Sequence, residues 1–131
     1  MGVTINWHEY LDDVFLLTFE APWTWDQFYG KMDERKALIE ERGEPGPFPM
    51  IIDVRKSGPV ARDSITQMKR MFTSPDPTAG IHIVVGGGMV LKMLYDATMK
   101  VYTAMGKSQT LYFAANIEEA EAIVTEQTTL A

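Results

Sequence analysis

The chain contains no cysteine, and this absence excludes several kinds of chemistry. Without a thiol it can form no disulfide, no thiolate nucleophile and no zinc–thiolate site. Basic residues are in the minority, because 12 Lys and Arg stand against 18 Asp and Glu, for a formal net charge of −6. This sign argues against a nucleic-acid-binding protein, which needs a basic face, and against docking on anionic lipid.

The sequence also lacks a long apolar run and a targeting signal. The most apolar stretches, 14–19 and 81–91, are too short or too often interrupted by glycine to span a bilayer. The first nine residues have neither the basic region nor the apolar core of a signal peptide. We therefore expect a cytoplasmic protein, and a length of 131 residues predicts one domain spanning 1–131.

Hydrophobic periodicity predicts alternating strands and helices. Val3, Ile5 and Trp7 alternate with polar residues, as in a half-buried strand. The continuous apolar run at 14–19 is typical of a strand covered on both faces. The remaining predicted elements are strands at 50–54, 81–85 and 110–114, and helices beginning after Thr24, at 63–72, at 89–105 and beginning after Asn116.

Capping residues set the predicted helix boundaries. Thr24 with Gln27, and Asn116 with Glu119, have the spacing of a capping box, and Gly43 is a typical helix end. The apolar stripe of the first predicted helix consists of Trp25, Phe28, Met32 and Ile39, and its charged residues, Arg35 among them, are expected in solvent. The element order β-β-α-β-α-β-α-β-α predicts an α/β fold whose five-stranded sheet is mostly parallel, with four helices and an antiparallel first strand at the edge.

Several short segments resemble the STAS family, the sulfate transporter and anti-sigma factor antagonist domains, also called SpoIIAA-like. They are the third strand with Asp53, the Asp63-Ser64 pair, Ala79-Gly80 and the helix start at 116–120. The resemblance covers nearly the whole chain and implies a STAS-like βα superhelix. It also implies a non-enzymatic regulatory domain that binds a protein partner such as an anti-sigma kinase.

The same resemblance implies that Ser64 carries the phosphorylated hydroxyl of a regulatory switch, next to Asp63. The family has Ser or Thr and then Gly after this pair, whereas Ile65 and Thr66 follow here, so the switch motif is degenerate. A phosphate at a helix start is stabilised by free backbone N–H groups. In the alternative interpretation, Asp63 or Ser64 only caps the helix.

A second function is a small-ligand or nucleotide-binding site at the ends of neighbouring strands, formed by the turn 86–88, Asp53 and the helix start at Ser64. Gly86, Gly87 and Gly88 precede a predicted helix and could bind an anion through backbone N–H groups, although a tight turn explains the same glycines. Asp53 stands in an apolar strand, where Arg55 or Lys56 could be its partner.

The third predicted helix is apolar on more than one face. Its core stripe is predicted to be Val90, Leu94, Ala97, Val101 and Met105. The additional apolar residues are Leu91, Met93, Tyr95, Met99 and Tyr102, which predict an interface, either in a homodimer or with a partner. Cover by the sheet and the neighbouring helices is the alternative.

Candidate catalytic residues do not form a recognisable set. No nucleophile–base pair or carboxylate pair stands at a spacing that predicts an enzyme. His8 and His82 lack the spacing of metal ligands, so we expect no metal and no cofactor, and both are expected on the surface or on a strand face.

Overall fold

The computed structural model describes residues 2–59, 66–67, 79–86, 93, 96–97, 100, 104 and 111–129. Within these residues the strands are β1 (Gly2–Trp7), β2 (Phe15–Glu20), β3 (Phe48–Lys56), β4 (Ala79–Val85) and β5 (Leu111–Ala114). The continuous helices of the same residues are α1 (Trp25–Arg42) and α2 (Ile117–Thr129).

The strands form one mixed sheet in the order β1-β2-β3-β4-β5. β1 pairs antiparallel with β2, whereas β2 to β5 are parallel to one another. The predicted α/β class, mixed five-stranded sheet and antiparallel edge strand are therefore confirmed. We call the side where β2 to β5 end the carboxyl edge and the opposite side the amino edge.

Of the four predicted helices, two lie mainly outside the described residues. In the predicted helix 63–72, Thr66 and Gln67 are helical. In the predicted helix 89–105, helical conformation is found at the described positions, which are Met93, Asp96, Ala97, Lys100 and Ala104.

The two continuous helices pack on opposite faces of the sheet. Successive side chains of a strand point to opposite faces, so β2 directs Phe15, Leu17 and Phe19 towards α1. On the other face, Ile83 and Val85 of β4 pack with α2. The main core of buried residues consists of Val3, Ile5, Phe15, Leu17, Phe19, Phe28, Ile39, Phe48, Met50, Ile52, Val84 and Leu111.

The boundaries of α1 follow the predicted capping residues. The Gln27 backbone N–H donates to Thr24 Oγ1 over 3.1 Å, and the Thr24 N–H donates to Gln27 Oε1 over 3.0 Å. At the other end Gly43 adopts φ 74°, in the left-handed region, and its N–H donates to the Ile39 carbonyl. Both ends of α1 are thus set by local sequence.

The capping residues of α2 differ from the predicted box by one residue. The Glu119 N–H donates to Asn116 Oδ1 over 2.8 Å, as expected, but the Glu119 carboxylate accepts from the N–H of Ala115 rather than of Asn116. The residues still satisfy free N–H groups at the helix start.

Arg35 corrects the predicted surface of α1, because it is buried, with 5% of its area exposed. Its guanidinium carbon lies 5.4 Å from the centre of the Phe15 ring, within the range of a cation–π contact. The reason is helical periodicity, since Arg35 follows Phe28 and Met32 and precedes Ile39 at intervals of three or four residues. It therefore shares their face, whatever its charge.

Candidate functional site

A bidentate ion pair marks the carboxyl end of β3. Arg55 Nε donates to Asp53 Oδ1 over 3.0 Å, and Arg55 Nη2 donates to Asp53 Oδ2 over 2.9 Å. The Arg55 backbone N–H also donates to Asp53 Oδ1, over 3.1 Å. The two side chains meet because residues two apart on a strand share a face. Asp53 is thus accommodated near the sheet core by its neighbour.

The pair keeps Asp53 ionised. The hydrogen bond from the Arg55 side chain lowers the pKa of Asp53 and outweighs the opposing effect of partial burial. The same contact raises the pKa of Arg55. A carboxylate held in its charged form accepts hydrogen bonds but does not act as a general acid near neutral pH. Asp53 therefore orients Arg55 at the carboxyl edge.

Gly86, which follows β4, makes room for this pair. A Cβ atom at Gly86 would lie 2.2 Å from Arg55 Cγ, and the residue has φ +80°, so a side chain would meet both a clash and backbone strain. Its N–H donates to the Ala114 carbonyl over 3.1 Å. Gly87 and Gly88 lie outside the described residues, and the anion-binding role of the three glycines stays a prediction.

The loop after β3 is attached to the segment that connects β2 with α1. Trp23 Nε1 donates to the Ser57 carbonyl over 2.9 Å, and the Ala21 N–H donates to the Lys56 carbonyl over 2.8 Å. Further along the chain, the Tyr29 hydroxyl donates to Gln67 Oε1. Residues just before α1 and in its first two turns thus contact the chain on both sides of the segment 58–66.

These anchors belong to a continuous aromatic cluster. Trp23 packs edge-on against Trp25 at a centroid distance of 5.0 Å, and Trp25 contacts Phe28 at 5.4 Å. Phe28 contacts Tyr29 at 5.2 Å. Trp25 Nε1 is buried without a hydrogen-bond partner in the described part of the chain. The cluster thus joins the residues that contact Ser57 and Gln67 through ring–ring contacts.

The other predicted site residues are described only in part. Asp63 and Ser64 lie outside the described residues, as do Leu91, Tyr95, Met99 and Tyr102. Met93 is described and is 66% exposed. Self-association through the third predicted helix stays a prediction.

Ala97, which we expected in the core stripe of that helix, is exposed. It shares one helical face with Met93, Lys100 and Ala104, because these residues follow one another at intervals of three or four. All of them are exposed. Because this helix carries apolar residues on several sides, periodicity alone did not identify its solvent face.

A second polar cluster lies at the amino edge and was missed by the sequence analysis. His8 Nε2 lies 2.6 Å from Glu121 Oε2 of α2, and the Glu121 carboxylate also interacts with Tyr10, since each shifts the pKa of the other. Of the two places expected for His8, the surface or a strand face, the surface is excluded, because its side chain is only 5% exposed; the residue directly follows β1. The partners are 113 residues apart, and no local pattern signals a contact over that distance.

Known proteins do not identify this arrangement. No family model, no curated protein and no solved structure matches the chain. Among the described residues, no group of three or more His, Asp or Glu side chains could hold a metal ion. None of the helices in the same residues is long and apolar enough to cross a membrane.

Replacing Arg55 with Gln tests the ion pair. We expect the pKa of Asp53 to rise, because its main stabilising hydrogen bonds are lost. A lowered folded-state pKa stabilises the fold above the ordinary carboxylate range and loses that effect as the pH falls. The variant should therefore lose up to about 1 kcal/mol at pH 7, the scale of a partly exposed pair, and almost nothing near pH 2.

NMR titration of the Asp53 carboxyl carbon and urea unfolding at both pH values measure these effects. Lys36→Gln, which removes an exposed charge from α1, is the control. An unchanged Asp53 titration in Arg55→Gln would contradict the assigned pair.

Proposed function

We propose that this chain is a non-enzymatic, STAS-like regulatory domain that binds a protein partner through the loop after β3. The proposal includes a SpoIIAA-like βα superhelix with four helices and an anti-sigma kinase as the class of partner. It is supported by the strand order, by the antiparallel first strand and by helices on both faces of the sheet. Because the same fold can serve many functions, this support rests on analogy.

The observation that carries the proposal is the anchoring of the loop on both sides. Trp23 holds the Ser57 carbonyl at the beginning, and Tyr29 holds Gln67 at the end. Binding residues commonly lie on loops that a rigid scaffold positions, and α/β proteins place them at the carboxyl ends of their strands. The nine residues 58–66, which include Asp63 and Ser64, lie between these two anchors in the sequence, so we propose them as the recognition segment.

Phosphorylation of Ser64 would regulate this contact through charge. A phosphate adds about −1.5 to −2 charges at neutral pH. At the start of a helix the free N–H groups and the helix dipole tolerate that charge, so the domain would stay folded. An acidic or apolar partner surface would be repelled or desolvated unfavourably.

Partner recovery with charged variants tests this function. The tagged chain and its Ser64→Asp, Ser64→Ala and Ala122→Asp variants are incubated with host lysate and ATP. Mass spectrometry then examines the peptide 63–69 and the recovered partner. We expect phosphate on Ser64 and a loss of partner for Ser64→Asp of about tenfold, which corresponds to roughly 1.4 kcal/mol.

Ala122 is exposed on α2, so Ala122→Asp adds the same charge away from the loop and should leave recovery unchanged. Circular dichroism verifies that each variant is folded. If the peptide carries no phosphate and Ser64→Asp retains its partner, Ser64 is only a helix cap and the regulatory function is refuted.

A further inference from the structure

The hydrogen bonds of His8 define its protonation state. Nδ1 accepts from the backbone N–H of Leu11 over 3.1 Å and from that of Tyr10 over 3.3 Å. A nitrogen that accepts from N–H groups carries no proton, so the proton of the neutral ring is on Nε2. Nε2 therefore donates to Glu121, whose Oε2 lies 2.6 Å away. One imidazole thus holds a turn with one nitrogen and a helix with the other.

The ring is faced by titratable groups from two elements. α2 contributes Glu121, which bonds to Nε2, and the loop between β1 and β2 contributes Tyr10. Glu118 of α2 and Glu9 of the loop add negative charge around the Tyr10 phenol. The Tyr10 ring packs edge-on against the imidazole at a centroid distance of 4.5 Å. The interaction between Tyr10 and Glu121 raises the pKa of the phenol and lowers that of the carboxylate. Glu121 is thus ionised over the range in which imidazoles ordinarily titrate.

We infer that His8 is a pH-dependent switch that opens the turn at residues 8–11 when its ring takes up a proton. The proton from solvent binds Nδ1, which changes from an acceptor into a donor. Both N–H···Nδ1 bonds then break, because donors face each other. The Nε2–H bond to Glu121 remains and becomes an ion pair, which is stronger than the neutral bond. The turn therefore opens, while His8 at the end of β1 stays bonded to Glu121 of α2.

The switch acts on Tyr10, because it breaks the hydrogen bond that holds the backbone of this residue. Tyr10 is 67% exposed although its backbone N–H is bonded to His8. Protonation of His8 removes the backbone restraint. The device lies at the amino edge, between the end of β1 and the start of β2, whereas the loop after β3 is at the opposite edge. The inference is thus independent of the proposed function.

Amide exchange measured by NMR between pH 8 and pH 5 tests the switch in the intact chain. At pH 8 the ¹⁵N spectrum should show His8 with its proton on Nε2. As the ring titrates, the protection factors of the Tyr10 and Leu11 amides, corrected for intrinsic exchange, should fall by about tenfold or more. The chain has two histidines, so loss of one ring signal in His8→Asn assigns the titration.

Two variants separate the switch from other effects of acid. His8→Asn places a non-titrating acceptor near the position of Nδ1, and Asn commonly bonds the backbone two residues ahead, so protection should stay high at both pH values. His8→Gln lacks that acceptor and should show low protection at both. The inference is overturned by a proton on Nδ1 at pH 8, by amides that stay protected after the ring has titrated, or by a fall in His8→Asn equal to that of the wild type.

Discussion

Replacement of Phe15 with Ala should remove about 3–5 kcal/mol from the free energy of unfolding, the cost of truncating a large buried aromatic residue. Phe15 is fully buried and lies at the centre of the packing beneath α1. Its ring stacks on Trp7 at 4.1 Å, contacts Phe48 at 6.1 Å and lies under the guanidinium of Arg35. The truncation therefore leaves a cavity and also removes the aromatic ring that the buried Arg35 guanidinium contacts.

Urea unfolding followed by circular dichroism measures this loss. Leu16→Ala is the matched control, because Leu16 is the next residue of β2 and points to the other, less buried face. We expect it to cost about 1 kcal/mol, near the average of point substitutions. Equal losses for the two variants would contradict the unequal burial of the two faces of β2.

Gly80→Ala should destabilise the fold by roughly 1–3 kcal/mol, the usual cost of overpacking. A Cβ atom at Gly80 would lie 2.7 Å from the Pro49 nitrogen and 2.9 Å from the Phe48 carbonyl carbon. Both are backbone atoms of β3 and cannot rotate away. The register of β3 with β4 is irregular between Phe48 and Met50, where a close approach of the strands needs a residue without a side chain.

Gly30→Ala is the control, and we expect it to change the free energy of unfolding in the opposite direction. Gly30 lies within α1 and an added Cβ would meet no atom within 4 Å. The substitution should stabilise the chain by about 0.5–1 kcal/mol, because Ala is favoured over Gly in helices. Thermal unfolding of both variants gives the comparison, and a stable Gly80→Ala protein would show that β3 and β4 can separate without cost.

Local signals explain what the sequence analysis predicted correctly. The alternation of Val3, Ile5 and Trp7 identified β1 because one face of this edge strand is buried and the other is exposed to solvent. Thr24 and Gly43 marked the ends of α1 because their interactions involve residues only three or four positions away. The mostly parallel sheet followed from the alternation of strands and helices, since parallel neighbours need a crossover between them.

Long-range contacts explain what the same analysis missed. Arg35 was placed in solvent because its charge was weighed above its helical position, although Phe15 provides a favourable surface for a guanidinium. The contact of His8 was not predicted, because its partner Glu121 is in the last helix. At the candidate site, Arg55 and Lys56 were the two predicted partners of Asp53, and the structure shows the pair with Arg55. The space that Gly86 leaves for this pair depends on tertiary packing and has no sequence signal.

The order of the strands in the sheet is also their order along the chain. During synthesis, each strand after the first can therefore add to the border of a sheet that already exists, without displacing a formed pair. Every pairing closes a loop between consecutive strands, so the entropic cost of each step grows little with chain length. A nascent chain that has emerged as far as residue 86 already contains β1 to β4, and the flank of β4 is the border on which β5 is added.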